Sequence, residues 1–415
     1  MTNALNMSII RSVFFTGLAS VLSYLLIIFV VRIYSKEDVS YYLYVVAWGL
    51  LLTLILDLAA EQSLVHYSKS KNIDIFRLWK KLCAYKAIFL FAALILSSLW
   101  EAYSGNEIPQ MVAFMMIPAF YMGPVFEYHG LNTKYARILF IEKFIFFVLT
   151  VILSQIIKDI KLVIYAYFLI SCLTLCAQVF VTRPFIGHKT PSVKINIFQY
   201  ACLYLPVYLI IISQLVYGNI SRLIIDAKMG AIAFAAITLS LQVVNAISIV
   251  QSQVDRHIRP AIIQAIGIHD RNSLAVIIKH YLLFYLCPVA LGCILMSSFS
   301  SAIITILFGP NWTEAGDALR YASPLIFTIS CMRLIDILVV PLHAARMNLF
   351  VNVTSGALLF GLLWFNPSSS LESYVLLIVV CQATHVAFMS TYVYARAKRA
   401  MAFVAATDNA PGISG

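Results

Sequence analysis

The feature that most constrains this chain is a succession of apolar runs, each near the length of a membrane crossing, separated by short polar connectors. A helix of about 20 residues spans roughly 30 Å, the thickness of a bilayer's hydrocarbon core. Every backbone group in such a run needs an internal hydrogen bond, so only helices and closed barrels cross. The period-2 alternation of a barrel strand is absent, and the chain reads as an all-α polytopic membrane protein. Composition agrees: of 415 residues, 62% are hydrophobic and 11% charged, and mean hydropathy is +0.90. A soluble domain carries about 25% charged residues.

Twelve spans are expected, near 12–34, 38–60, 82–100, 108–126, 138–157, 161–182, 199–221, 229–252, 280–300, 324–342, 347–365 and 373–394. The run after Arg11 is too long for a signal-peptide core and lacks a small-residue cleavage site, so it is expected to stay as the first span. The fifth carries Glu142 and Lys143 in its first turns, and a later start would leave it too short to cross. A connector with Pro184, Gly187, Pro191 and three basic residues splits the spans six and six. The expected organisation is an N-terminal six-helix lobe over 1–185, a basic linker over 186–198, a C-terminal six-helix lobe over 199–400 around a shared central cavity, and a short tail over 401–415. Laying Val31 onward over Ser221 onward places Arg32 over Arg222, a hint of an internal repeat of the kind transporters use. Prolines within or beside spans (Pro118, Pro124, Pro206, Pro288, Pro341) supply kinks that serve packing or movement.

Lys and Arg in the connectors on the N-terminal side outnumber those on the other side about threefold, which by the positive-inside rule makes both termini cytoplasmic. The net charge of +11 is this bias, so no nucleic-acid partner is implied. Trp100, Trp312 and Trp364 fall near the expected outer interface and Trp79 near the inner one, as in an aromatic belt. All eight cysteines lie in or beside spans without metal-ligand spacing and read as small packing residues, so no metal site and no cofactor is expected. No G-x-x-x-x-G-K-[ST], G-x-S-x-G or H-E-x-x-H occurs; no catalytic residue is assigned, the chain is not expected to be an enzyme, and it cannot hydrolyse ATP through a P-loop of its own.

The stretch from Ile306 to Pro341 is the longest outer connector together with the span that follows. Pro310-Asn311 reads as a turn, with Asn311 as N-cap and Glu314 as its partner. A short helix from Trp312 to about Ala322 would bury Ala315, Leu319 and Ala322 and turn Glu314, Asp317 and Arg320 to water. Ser323-Pro324 then reads as a second cap and first-turn proline. The span that follows carries Arg333 and Asp336 near its middle, where each charge costs about 2.5–3.5 kcal/mol. Three residues apart, they share a face with Ser330 and Val340. Either they form a pair that fixes helix register, or Arg333 meets an anionic substrate group with Asp336 orienting it. Asp57 and Glu61 close the second span as a solvated pair or as an ion-coupling group. Arg11 and Lys86 at cytoplasmic helix ends, and Arg222 with Asp226 at an outer one, are further cations that either snorkel or contact substrate phosphate. His385 reads as a hydrogen-bonded packing residue. The substrate-binding candidates are therefore Arg333, Arg11, Lys86 and Arg222, and the coupling candidates Asp336 and Asp57.

The run from Val30 to Tyr42 resembles the "aR-ls-eefG-y" passage after the first span of polysaccharide exporters, with Ser40 where glycine is usual. Leu56-Asp57-Leu58-Ala59 resembles their "DlGl" passage, with Ala59 in place of glycine. Ile306 to Ala315 resembles their "lfG-x-x-W-x-x-A" connector. On these residues the chain resembles the Wzx-type O-antigen and polysaccharide flippases, within the multidrug/oligosaccharidyl-lipid/polysaccharide exporter superfamily. That resemblance implies a two-lobed bundle alternating between inward- and outward-facing states. The implied cargo is an undecaprenyl-pyrophosphate-linked oligosaccharide, carried from the cytoplasmic to the periplasmic leaflet of a bacterial inner membrane and coupled to an ion gradient. Membrane lipids, a polysaccharide polymerase and a chain-length regulator are the implied partners. An arginine fork suits the pyrophosphate because it donates two bonds at once. A drug/cation antiporter of the same superfamily is the alternative. A membrane polymerase or acyltransferase is a more distant one, since it would want a long outer loop with catalytic residues.

Overall fold

The computed structural model describes residues 2–57, 60–71, 73–185, 197–267, 271–339, 342, 344–366 and 370–408; side chains within these ranges are left out at the first nine residues, over much of 247–272, at 399–408 and at scattered positions. Among the described residues every regular element is helical. By packing, the chain forms two compact units, Met1–Leu215 and Val216–Gly415.

The first unit holds α1 (Thr2–Ile33), α2 (Lys36–Asp57), α3 (Ala60–Lys71), α4 (Ile75–Ser104), α5 (Ile108–Phe114), α6 (Gly123–Tyr128), α7 (Asn132–Ile156), α8 (Ile160–Thr182) and α9 (Ile197–Leu215). Its polarity is that of a membrane bundle. On α4, Ile88, Phe89, Ile95 and Leu99 face outward. On α7, Glu142, Phe146, Thr150 and Ser154 recur every four residues and are buried, opposite buried Ser171, Thr174, Gln178 and Thr182 of α8. In lipid, apolar contact does not drive helices together, so small and hydrogen-bonding residues hold the interfaces. α1 runs along α7 through Phe15–Phe140 and Phe29–Phe147, with ring centroids 5.8 and 6.2 Å apart.

One expectation changes here, at the fifth span. The fifth span begins at Asn132, so Glu142 and Lys143 lie near its middle and not in its first turns. Asp57 lies in α2 and Glu61 in α3, and residues 58 and 59 between them lie outside the described residues. The expected linker, 186–198, lies outside the described residues up to 196, and the packing boundary falls later, at Leu215. α9 stays with the first unit because Tyr200 is fully buried against Leu64, Tyr67, Leu78 and Phe126. Its hydroxyl lies 2.7 Å from Ser63 Oγ, and Tyr208 donates to the Ile55 carbonyl at 2.9 Å.

The second unit holds α10 (Ser221–Met229), α11 (Ala231–Gly267), α12 (Arg271–Tyr281), α13 (Cys287–Ser298), α14 (Ser300–Phe308), α15 (Thr313–Ala322), α16 (Pro324–Val339), α17 (Ala345–Phe365) and α18 (Leu371–Asp408). A π-turn, Val216–Ile220, joins α9 to α10, and a second, Leu282–Leu286, joins α12 to α13. Nine helices among the described residues are long and apolar enough to cross a membrane, ten when α15 and α16, bent by 42°, count as one span. With α7 and α11, helices occupy all twelve expected positions.

The Gly309–Ala315 motif has clear structural reasons. Gly309 ends α14 at φ 95°, a conformation that side chains resist. Ala315 is fully buried, and its carbonyl accepts from Ser240 Oγ of α11 at 2.7 Å. Trp312 is not an interfacial belt residue: it is 2% exposed. It also takes the N-cap position of α15 without a side-chain cap bond, leaving Asn311 exposed and uninvolved. The buried indole fixes where the helix starts. Ser323 terminates α15, its hydroxyl donating to the Arg320 carbonyl at 3.0 Å, and does not cap α16.

Candidate functional site

The fourth span is broken, and the break gathers the most deeply buried charges described in the first unit. Pro118 has no N–H to continue the helix from α5, and Pro124 sits at the start of α6. Between them the backbone tightens into a 3-10 turn, Ile117–Phe120, and extends at Tyr121. Non-helical backbone at membrane depth needs partners from neighbouring helices. Lys86 Nζ of α4 donates to the Ala119 carbonyl at 2.7 Å, and Gln178 Oε1 of α8 accepts from the Met122 amide at 2.7 Å. α2 approaches closely because residue 49 is glycine: a Cβ there would sit 2.3 Å from Met115 Cβ.

Lys86 also donates to Asp57 Oδ1 at 2.9 Å, and the two side chains are 5% and 16% exposed. The expected snorkelling cation is therefore an enclosed one, its ammonium divided between a carboxylate and the broken helix. Two residues along the break, Tyr121 donates to Glu142 Oε2 at 3.0 Å. The other oxygen of Glu142 accepts from Lys143 at 2.8 Å, and that ammonium sits 5.2 Å from the centroid of the Tyr167 ring. Two ion pairs, 57–86 and 142–143, each with one buried and one partly buried member, thus grip the break at residues 119 and 121. A change of charge in either pair alters the hydrogen bonding of the same short turn.

Glu142 and Gln178 were not singled out from the sequence. The signal available for Glu142 was an adjacent acid–base pair inside an apolar run, which becomes informative once the helix is known to start at Asn132. Gln178 carried no signal beyond being an amide inside a span.

In the second unit, Arg222 donates through Nε to the Gly218 carbonyl at 2.9 Å and through its terminal nitrogen to Asn219 Oδ1, so its guanidinium closes the π-turn. Arg32, its counterpart in the gapless overlay, is exposed at the end of α1. His385 is 4% exposed and its Nδ1 lies 2.9 Å from Ser355 Oγ, while its ring meets Tyr217 of the π-turn edge-on at 6.3 Å. Asn348 and Asn352 continue the buried polar line along α17. Arg333 and Asp336 are each half-buried in α16. Among the described residues no ion pair joins them, and Arg333 has neither an ion-pair nor a hydrogen-bond partner. Val340, expected on their face, lies outside the described residues, and Arg11 is exposed near the start of α1. No group of three His, Cys, Asp or Glu among the described residues is placed to hold a metal ion.

No protein-family model matches the chain, and no curated protein sequence matches it. Solved structures do. The lipid II flippase MurJ in an inward closed conformation aligns with a TM-score of 0.70 at 11% identity, covering 99% of this chain and 93% of that one. An inward-facing multidrug resistance MATE family transporter of the MOP superfamily aligns with a TM-score of 0.67 at 11% identity, covering 92% and 95%. A mutant of the Vibrio cholerae MATE transporter VcmN aligns with a TM-score of 0.58 at 13% identity, covering 96% and 98%. At these identities the likeness is one of fold: the chain is a multi-pass membrane protein with the fold of MOP-superfamily transporters.

Proposed function

We propose that this protein is a flippase that carries an undecaprenyl-pyrophosphate-linked oligosaccharide from the cytoplasmic to the periplasmic leaflet of a bacterial inner membrane, with both termini cytoplasmic. The observation that carries the reading is Arg333, an arginine within a span that has no ion-pair or hydrogen-bond partner among the described residues. An embedded cation held without an internal partner is costly unless a ligand or water-filled space meets it. The pyrophosphate of a lipid-linked sugar is the anion that such a site would take. The fold shared with a lipid II flippase supports the same reading.

Asp336 then orients Arg333, and Arg11 offers an exposed cation for cargo entering from the cytoplasmic side. Arg222 and Lys86 already have internal partners, so their contact with cargo requires those bonds to open. Asp57 is the coupling candidate: a proton or cation that displaced Lys86 from it would release the Ala119 carbonyl and loosen the broken span. The two packing units serve as the two lobes of an alternating-access cycle, and a polymerase and a chain-length regulator act on the delivered cargo.

A drug/cation antiporter would use embedded acids open to a cationic substrate. Asp57 and Glu142 are instead each bonded to a lysine ammonium. The test is a strain carrying Arg333→Ala at wild-type protein level. Surface polysaccharide should be lost, and Arg333→Lys should restore part of it. Normal polysaccharide in the Ala strain removes the proposed role, and altered drug susceptibility with intact polysaccharide favours the antiporter.

A further inference from the structure

We propose that His385, with Ser355 and Tyr217, forms a proton-operated latch within the second unit. Neutral, it closes α17 and α18 on the π-turn at 216–220; on taking up a proton it releases that turn. The latch goes beyond the flippase reading and does not depend on it.

Proton accounting fixes the resting state. Ser355 Oγ lies 2.6 Å from the Val351 carbonyl, 3.3 Å from that of Asn352 and 2.9 Å from His385 Nδ1. A hydroxyl has one hydrogen and a carbonyl only accepts, so the short contact to Val351 takes the Ser355 hydrogen. Nδ1 must then carry the imidazole hydrogen and donate it to Ser355, which leaves Nε2 as a bare acceptor. Nε2 is buried and has no hydrogen-bond partner among the described residues. Tyr217 directs its hydroxyl toward the same Ser355 but falls short of a hydrogen bond, leaving a second buried polar atom open. Buried polar atoms are nearly always paired, so two open ones on rings in edge-on contact single out this place.

The surroundings decide what a proton does here. It would bind at Nε2, making both ring nitrogens donors and the ring a cation. The groups that face the ring are neutral: Tyr217 from the π-turn, Ser355 from α17, and Cys381 one turn back on α18. The acids on the helices packed against α18 are Asp226 of α10, Glu314 and Asp317 of α15 and Asp336 of α16, and none bonds to His385 among the described residues. Glu372, at the start of α18, is more than three turns away. The cations of those helices, such as Arg320 and Arg333, can only repel. Arg222 is the foremost of them, because its guanidinium is already bonded to Gly218 and Asn219 of the π-turn itself. A charged His385 would therefore be a buried cation with an unbonded N–H and no counter-charge, which the closed packing does not accommodate. Charge and closure are alternatives. The π-turn is the element able to answer, since it carries an extra residue within its helix and such turns frequently mark functional sites.

The experiment uses the full-length protein in lipid bilayers at about pH 7.5 and about pH 5, the range over which histidines change charge. Solid-state NMR on isotope-labelled histidine nitrogens reads the ring directly. The His385 resonances are those lost in His385→Asn, or those shifted in Ser355→Ala should the asparagine variant not fold. The expected result is the Nδ1–H tautomer at the higher pH and the imidazolium at the lower. Hydrogen–deuterium exchange of the peptide covering 216–222, corrected for intrinsic rates, should be severalfold faster at the lower pH in the wild type and unchanged in His385→Asn. A ring that stays neutral at the lower pH, or that holds its hydrogen on Nε2 at the higher one, overturns the proposal. So does exchange in the wild type that ignores pH, or the same acid response in His385→Asn. Neither readout uses cargo, so failure here leaves the flippase reading to the Arg333 variants, and failure of those variants leaves the latch intact.

Discussion

Lys86 and Asp57 show how a residue can be noticed in a sequence for the wrong reason. Each stood out as a charge beside an apolar run, yet the pair lies 29 residues apart, and no local pattern announces that α4 brings Lys86 to the end of α2. Their burial sets the energetics. Removing one partner of a buried pair leaves an uncompensated charge and costs about 3–5 kcal/mol, whereas replacing both with apolar residues of similar size is near neutral. Asp57→Ala should therefore lower the thermal unfolding midpoint of the purified protein sharply. Adding Lys86→Met to Asp57→Ala should recover most of the loss while leaving transport impaired. A double variant as unstable as the single one would show that the bond from Lys86 to the Ala119 carbonyl, and not the uncompensated charge, carries the loss. Arg333 was legible in a stronger sense: a basic residue deep in a span is rare enough to single out unaided, and the structure adds that it has no partner among the described residues.

At the scale of elements, the apolar runs located the helices well because the bilayer leaves the backbone few choices. The ends were legible less well, because tertiary packing decides them. Trp312, buried, takes the cap position of α15 in place of the better capping residue Asn311, and Tyr200 packs α9 into the first unit. The break in the fourth span was visible as Pro118 and Pro124, while its supports, Lys86, Gln178 and Glu142, were not. Gly49 offers the sharpest test of that break. A side chain there meets Met115, so Gly49→Val should push α2 off the turn, dislodge the hydrogen bonds at Ala119 and Met122, and cut both protein yield and thermal stability. A Gly49→Val protein of wild-type stability would mean that the close approach is dispensable. Gly17, with open space around its Cβ position, serves as the tolerant control.

For the whole molecule, the twelve-helix pattern and the all-α fold were readable from hydropathy alone, and the likeness to MurJ and MATE transporters agrees with them. The orientation rests on connector charges. Two residues counted on the inner side, Lys86 and Lys143, are in fact members of ion pairs within the bundle, but the excess survives without them. In a background freed of native cysteines, Ser70→Cys and Thr190→Cys should react only with a membrane-permeant reagent, and Thr313→Cys also with an impermeant one applied outside. Reaction of residue 313 from the cytoplasmic side alone would invert the orientation. The central claim is that Arg333 holds the pyrophosphate of a lipid-linked oligosaccharide as it crosses. Its most direct test is the translocation rate of a fluorescent undecaprenyl-pyrophosphate oligosaccharide in proteoliposomes with matched amounts of wild-type, Arg333→Lys and Arg333→Ala protein. The expected result is transfer by the wild type, reduced transfer by the lysine variant and background transfer by the alanine variant; transfer by Arg333→Ala at the wild-type rate would contradict it.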